Sequence, residues 1–321
     1  MSVEVAVVGP FYNAREHVAP WLRCMAAQTH GNFRIYLVDD ASTDGTPDEV
    51  RRHAGNLPLE LIALTENRGA GAARNHAIRR ALHDGAQVIL LLDSDCRVAP
   101  DWVDRHAAVH RARPDISVLG GGVQGQASSI IGRADGFASW FTSIPHFREG
   151  PVTRLHLCST NMSIKAHVFR AHGLFFDETL HTGEDVVFCR AARQRGLLLY
   201  LQSDVVAQHL DRDDVEGARR HHYRWGLHSF TVSQGAQGGY YNFLTRVRRR
   251  RYVAALVPGI ALAYTGLVLA AYTPRQPRVW KYAPWILYLK WWNALGVYHG
   301  FISPERCRRT PAPTPGTTRQ S

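Results

Sequence analysis

The chain has 321 residues, 45% of them hydrophobic and 20% charged, with a formal net charge of +11 and a pI near 9.8. The length suits one large α/β domain with an appendage, or two modest domains, and the excess of base seeks anionic partners. The densest basic run, Arg246, Arg248, Arg249, Arg250 and Arg251, directly precedes an uncharged apolar stretch, so it reads as a juxtamembrane cluster. No RNA-binding or zinc-finger signature is present, and nucleic acid is not an expected partner.

Apolar runs at residues 3–8, 33–38, 59–64, 88–92 and, more weakly, 117–119 alternate with helix-like stretches at 16–28, 47–53, 72–83 and 102–111. Alternation of this kind builds a parallel sheet with crossover helices. No charged leader precedes the first run, which reads as a buried strand rather than a signal peptide. Thr46, Pro47 and Glu49 spell a capping box for the second helix. Residues 123–153 lose periodicity and are expected to be variable or mobile. Regularity returns with a helix at 185–195, strands at 197–201 and 205–207, and a basic aromatic helix at 215–230. Residues 253–272 carry no charge over a length that can span a bilayer; 283–302 are also apolar but contain Lys290 and His299. The Pro- and Thr-rich tail after residue 310 is expected to be disordered. The five cysteines are scattered, without a Cys-x-x-Cys pair, and read as reduced thiols in a cytosolic domain.

In an open parallel sheet, ligands bind beyond the carboxyl ends of the strands, so the chemistry is sought there. After the first strand comes Gly9-Pro10-Phe11-Tyr12-Asn13, and after the second Asp39-Asp40-Ala41-Ser42-Thr43-Asp44. Carboxylates there can accept from a base N–H and from ribose hydroxyls, with Tyr12 as a stacking surface; the same acids also serve as turn and capping residues. After the third, Gly69 and Gly71 open a helix whose Arg74 either reaches a diphosphate or lies on a solvated face. The fourth strand ends in Asp93-Ser94-Asp95. Two acids so close at a buried strand end call for a hard divalent cation, unless Asp95 is simply solvated in a turn. Glu184 and Asp185 begin a helix, where carboxylates either cap the dipole or, facing a cleft, take a proton. His209 follows an apolar strand as a metal ligand or a core histidine.

As an ordered set, Pro10-Phe11-Tyr12-Asn13, Val38-Asp39-Asp40 through Gly45-Thr46, Asn67-Arg68-Gly69 through Arg74-Asn75, Leu92-Asp93-Ser94-Asp95 and Gly183-Glu184-Asp185 resemble the family 2 glycosyltransferases over about residues 3–230. Those are inverting enzymes of the GT-A fold. The resemblance implies a GT-A-type α/β domain with a central, mostly parallel sheet over residues 1–235, binding a nucleoside-diphosphate sugar. Nucleotide and donor contacts would fall to Pro10, Tyr12, Asn13, Asp39, Asp40, Arg74 and Asp93, and Mn²⁺ or Mg²⁺ to Asp95 and His209. Asp185 would be the catalytic base, with Glu184 beside it as acceptor-binding residue or substitute. Cys158-Ser159-Thr160-Asn161-Met162 resembles the strand under donor and acceptor, putting Thr160 and Asn161 on the acceptor side. Processive members carry Gln-x-x-Arg-Trp; here His221-His222-Tyr223-Arg224-Trp225 keeps Arg224 and Trp225 without the Gln, which favours single addition to a hydroxyl acceptor.

Three other readings were weighed. A dehydrogenase would want Gly-x-Gly-x-x-Gly after the first strand, and a nucleotidyltransferase a glycine-rich phosphate loop; neither motif is present. A catalytically silent sugar-nucleotide-binding or scaffold protein would not need all the acids. Residues 236–309 are expected to form a helical, membrane-associated segment, residues 310–321 a disordered tail. Through 246–302 the protein would sit on the cytoplasmic face of a membrane, facing acceptors that include lipid-linked ones; the alternative is a cytoplasmic protein with a packed helical subdomain.

Overall fold

A computed structural model describes residues 4–153, 156–180, 182–234 and 254–303. The basic run at 246–251, Arg306, Arg308, Arg309, Cys307 and the tail lie outside the described residues.

Strands β1 (Val5–Phe11), β2 (Phe33–Asp39), β3 (Leu59–Ala63) and β4 (Val88–Leu92) pair in parallel in the order β3-β2-β1-β4. Helices α1 (Arg15–Ala26), α2 (Thr46–His53) and α3 (Ala70–His83) make the crossovers. Alternate β1 residues feed two cores, because successive side chains of a strand point to opposite faces. Ala6 and Val8 pack with Ala73, Ala77 and Ile78 of α3; Val5 and Val7 pack with Val18, Trp21 and Leu22 of α1.

Beyond β4 the sheet is mixed. The chain continues through β5 (Cys96–Val98), α4 (Trp102–Ala112), β6 (Ile116–Gln126), α5 (Ile130–Trp140), β7 (Glu149–Pro151), β8 (Asn161–Lys165), α6 (Ala166–Arg170), α7 (Glu184–Gln194), β9 (Leu198–Leu210) and α8 (Val215–Gln234). The spatial order is β4-β8-β6-β9-β5; β8 runs antiparallel to β4 and β6, and β5 antiparallel to β9. This reversal positions the site. Being antiparallel, β8 starts where β4 ends, with Asn161 opposite Leu92, and β9 sets His209 opposite Cys96.

Several local expectations are corrected. The stretch read as variable holds the end of β6 and all of α5, whose Ile131, Ala134 and Ala138 are buried. The two short strands expected at 197–207 are one strand, β9, with a register shift against β6. Helix α2 does begin at Thr46, but its N-cap is Gly45 and no capping box forms. Thr46 is fully buried, accepts from the Ala14 N–H (2.9 Å) and donates to Asp44 (2.6 Å), so it ties two loops together instead.

The C-terminal part comprises α9 (Val257–Tyr272), a 3-10 turn (Pro277–Tyr282) and α10 (Ala283–Ile302). Of the two apolar stretches, α10 packs one face closely against α8 and α5, leaving Trp285 and Trp291 exposed on the other. A methyl group on Gly226 of α8 would collide with the Asn293 carbonyl, and one on Gly296 with the Tyr223 carbonyl, so the two helices touch backbone to backbone. Lys290, 6% exposed, donates to the Ala138 carbonyl of α5 (2.7 Å). Helix α9 differs. Val257, Ile260, Ala261, Val268 and Leu269 face inward, while Leu262 and Leu267 are 59% and 55% exposed. Residues Ala254–Tyr272 are the one described helix long and apolar enough to cross a membrane, with mean hydropathy 1.9.

Candidate active site

The strand ends, the α3 entrance and the start of α7 bring most of the expected residues to one edge of the sheet. At its centre is Arg74, in the first turns of α3 and only 3% exposed. Its guanidinium donates to Glu184 (2.5 Å) and to Asp93 Oδ1 (2.6 Å). The second Asp93 oxygen accepts from the Thr160 hydroxyl (2.9 Å), which the antiparallel β8 delivers. Arg74 is thus buried between two acids and holds Asp93 in place. Glu184, 8% exposed, gives one carboxylate oxygen to Arg74. Burial pushes the Glu184 carboxyl up, and the neighbouring Arg74 charge opposes that rise.

Asp185 follows immediately and is left half-exposed at the helix start. One oxygen accepts from the Val186 N–H (2.7 Å) and the other from the Ser159 N–H (3.3 Å). One helical step of about 100° separates the two acids, so one is buried against Arg74 while its neighbour is partly exposed.

Asp95 meets His209 Nε2 at 3.2 Å. On its other nitrogen, His209 donates to Asp211 Oδ1 (2.9 Å), which also accepts from the Trp140 indole (2.9 Å). Burial disfavours a charged imidazole, but the two flanking carboxylates override it and raise His209 to about 10. Asp95 answers in the opposite sense: burial would raise it, and the His209 charge brings it down to about 2. An imidazolium therefore stands beside Asp95 as a cation. The donor set, a carboxylate and an imidazole with its second nitrogen held by an acid, suits Mn²⁺ or Mg²⁺ replacing that proton. Asp211 and Trp140 escaped the sequence reading. The only hint was spacing: Gly125 and Gly136 leave room that a methyl group would take from the Asp211 carboxylate, visible only once β6 and α5 are adjacent.

At the β1 and β2 ends, Asp39 is 3% exposed; one oxygen accepts from the Ser42 N–H (3.2 Å) and Oδ1 is buried without a partner. An orphaned buried acceptor fits a ligand N–H. Asp40 accepts from the Arg68 and Gly69 N–H groups with its two oxygens (2.8 Å each), which fixes the turn into α3. Asn13, at φ +46°, accepts from the Thr43 N–H (2.9 Å) and so joins the two loops; Pro10 and Tyr12 are half-buried beside it. Asn161 is a correction. It is 1% exposed, donates to the Gly122 and Val205 carbonyls and accepts from the Trp102 indole, so it cross-links strands and does not face an acceptor. Trp225 packs on His221 (4.1 Å between ring centres) and Arg224 is exposed on α8; neither belongs to the hydrogen-bonded cluster.

Fold and site together define a mixed-sheet α/β protein of the GT-A type, with its carboxylates gathered at the strand ends. Residues 6–173 match the family described as Glycosyl transferase family 2, and the chain belongs to that family. It is 33% identical over 102 residues to the putative teichuronic acid biosynthesis glycosyltransferase TuaG of Bacillus subtilis, covering 32% of this chain and 39% of that protein. Among solved structures it resembles a mannosyltransferase from Pyrobaculum calidifontis in complex with GDP-Man and Mn²⁺. There the TM-score is 0.61 at 18% identity, covering 95% of this chain and 88% of the other. It also resembles residues 1–349 of Staphylococcus aureus TarS in complex with UDP-GlcNAc, with TM-score 0.55 at 18% identity, covering 96% and 93%. The chain thus spans about two fifths of the curated relative TuaG.

Proposed function

We propose that the chain is an inverting glycosyltransferase that moves one sugar from a nucleoside-diphosphate sugar to an acceptor hydroxyl. The observation that carries this reading is the split of the acids at one edge. Asp93 and Glu184 are paired with Arg74, while Asp95 pairs with His209 and Asp185 is half-exposed, outside both of these pairings. Asp39, with its unpartnered oxygen, accepts from the base, Tyr12 and Pro10 flank it, and Asp93 meets the ribose or the donor sugar. Asp185 accepts the proton of the acceptor hydroxyl as its oxygen attacks the anomeric carbon, and a single displacement inverts that centre. Thr160 and Arg74 keep Asp93 from turning toward Asp185, so donor and base stay apart. A divalent cation held by Asp95 and His209 would balance the negative charge of the leaving diphosphate.

The membrane part of the reading rests on α9. Its outward positions Gly259, Leu262, Ala263, Gly266 and Leu267 form one uncharged face, and Arg275, Arg278 and Lys281 follow it. Such a face beside positive charge suits a membrane surface on the cytoplasmic side, and so acceptors carried there, lipid-linked hydroxyls among them. Trp280, 58% exposed, fits the headgroup depth.

Two measurements test the proposal. A melting screen with UDP, GDP, dTDP and CDP, each with and without Mn²⁺, should raise the melting temperature for one base, more with metal. Asp185→Asn should leave that shift in place and cut turnover by a factor on the order of 10² to 10⁴; an active Asp185→Asn protein refutes the base assignment.

A further inference from the structure

Two side chains near Asp185 have no part in the proposed transfer. His156 and Cys158 lie in the loop before β8, and each offers a ligand atom that lies, with a carboxylate oxygen of Asp185, in a group all within 4.8 Å of one another. All three are half-buried, open enough for an ion to enter. Asp185 is bound to the same loop through the Ser159 N–H (3.3 Å), so the base and the two other donors keep a common frame.

The donor chemistry differs from that at Asp95. One imidazole nitrogen, one sulfur and one carboxylate oxygen are poor partners for Mg²⁺ or Mn²⁺, which favour oxygen, and good ones for Zn²⁺. Zinc takes such ligands at about 2.0–2.3 Å, often three from protein with water in the fourth position, which sets ligand atoms about 3.3–3.8 Å apart, so the trio would draw together by up to about an ångström on binding. We propose that His156, Cys158 and Asp185 form a second cation site, selective for Zn²⁺, whose occupation withdraws Asp185 from the acceptor hydroxyl and halts transfer. Its inhibitory half rests on Asp185 being the base proposed above; the binding half does not. On binding, the zinc–sulfur bond replaces the S–H bond and the proton leaves to solvent.

Co²⁺ is the probe, because a cobalt–thiolate bond adds a near-ultraviolet charge-transfer absorption. Full-length protein in excess Mn²⁺, which fills the Asp95 site, should develop that absorption on adding Co²⁺ and lose it on adding Zn²⁺. Cys158→Ser should abolish the band; Cys24→Ser, which alters another half-buried free thiol, should keep it. Circular dichroism melts of both variants check that they fold. A band that survives Cys158→Ser, or one that Mn²⁺ alone prevents, overturns the site. In the transfer assay Zn²⁺ should inhibit the wild type. The zinc concentration for half-inhibition should rise about tenfold or more in Cys158→Ser, each protein measured against its own zinc-free rate. Cobalt binding without zinc inhibition overturns the withdrawal of Asp185, whereas a fully active Asp185→Asn protein overturns only the base assignment and leaves the cobalt result standing.

Discussion

Asp93 and Asp95 are two residues apart, yet they are neutralised in opposite ways. Asp93 sits against Arg74, a guanidinium that stays charged at every accessible pH and is itself clamped by Glu184. Asp95 sits against His209, whose charge is a removable proton held there by Asp211. A permanent cation makes a frame, whereas a removable one leaves a place that a metal can take. The Arg74 side should therefore govern stability and the His209 side metal binding.

The largest expected effect comes from breaking the frame. Arg74→Ala strands Glu184 and Asp93 without their cation and should cost about 3–5 kcal/mol of stability, read by urea denaturation without metal. Arg74→Lys should recover little, because a single ammonium cannot span both carboxylates. A loss below about 1 kcal/mol in Arg74→Ala would dissolve the contrast between the two sides.

On the other side, Asp211→Asn should leave the fold and weaken Mn²⁺ binding by about 10- to 100-fold in a calorimetric titration, since Asp211 orients the ring that meets the metal. Unchanged Mn²⁺ affinity would remove His209 from the metal site. Asp95→Ala should lose the Mn²⁺-dependent rise in melting temperature altogether. Without metal it should be less stable by about 1–2 kcal/mol, because Asp95 is paired rather than repelled, while His209 keeps Asp211.

The smallest effect lies farther back, where Asp135 of α5 meets His222 of α8 (2.8 Å). Burial would raise Asp135, but the His222 hydrogen bond first, with weaker electrostatic help from the surroundings including Arg212, holds its carboxyl below the usual range. His222 is itself pushed down by burial, so near neutral pH it donates as a neutral ring and the hydrogen bond is the main contribution. A depressed folded carboxyl contributes stability above about pH 3.9, lost as pH falls toward its lowered native value. Acid unfolding followed by circular dichroism should show that loss, and Asp135→Asn should flatten it. An identical acid limb in the variant would place the sensitivity in other carboxylates.

Much of this was legible beforehand because it is local. The strands of the parallel half, the acids after β2 and β4, and the Glu184-Asp185 helix start all follow from apolar runs and the residues that end them. What stayed hidden was not local. Arg74 beside a glycine turn has the appearance of a phosphate ligand, and Asn161 beside Thr160 that of an acceptor contact. Their partners lie 110 and 59 residues away in sequence, at Glu184 and Trp102. The region at 123–153 looked irregular because α5 carries glycines and a buried Asp135, which make sense only against Asp211 and His222.

The amino-acid sequence by itself determined which residues could do chemistry and that they follow strand ends, because strand and helix periods and turn chemistry act over a few residues. Only the tertiary structure decided which acids are free. The reversal of β8 carries Thr160 to Asp93, the pairing of β5 with β9 carries His209 to Asp95, and the close packing of α10 on α8 ties the C-terminal helices to the sheet domain while α9 keeps an apolar outer face. A carboxylate's role depends on the charge and burial around it, and those are set by segments far apart in the chain.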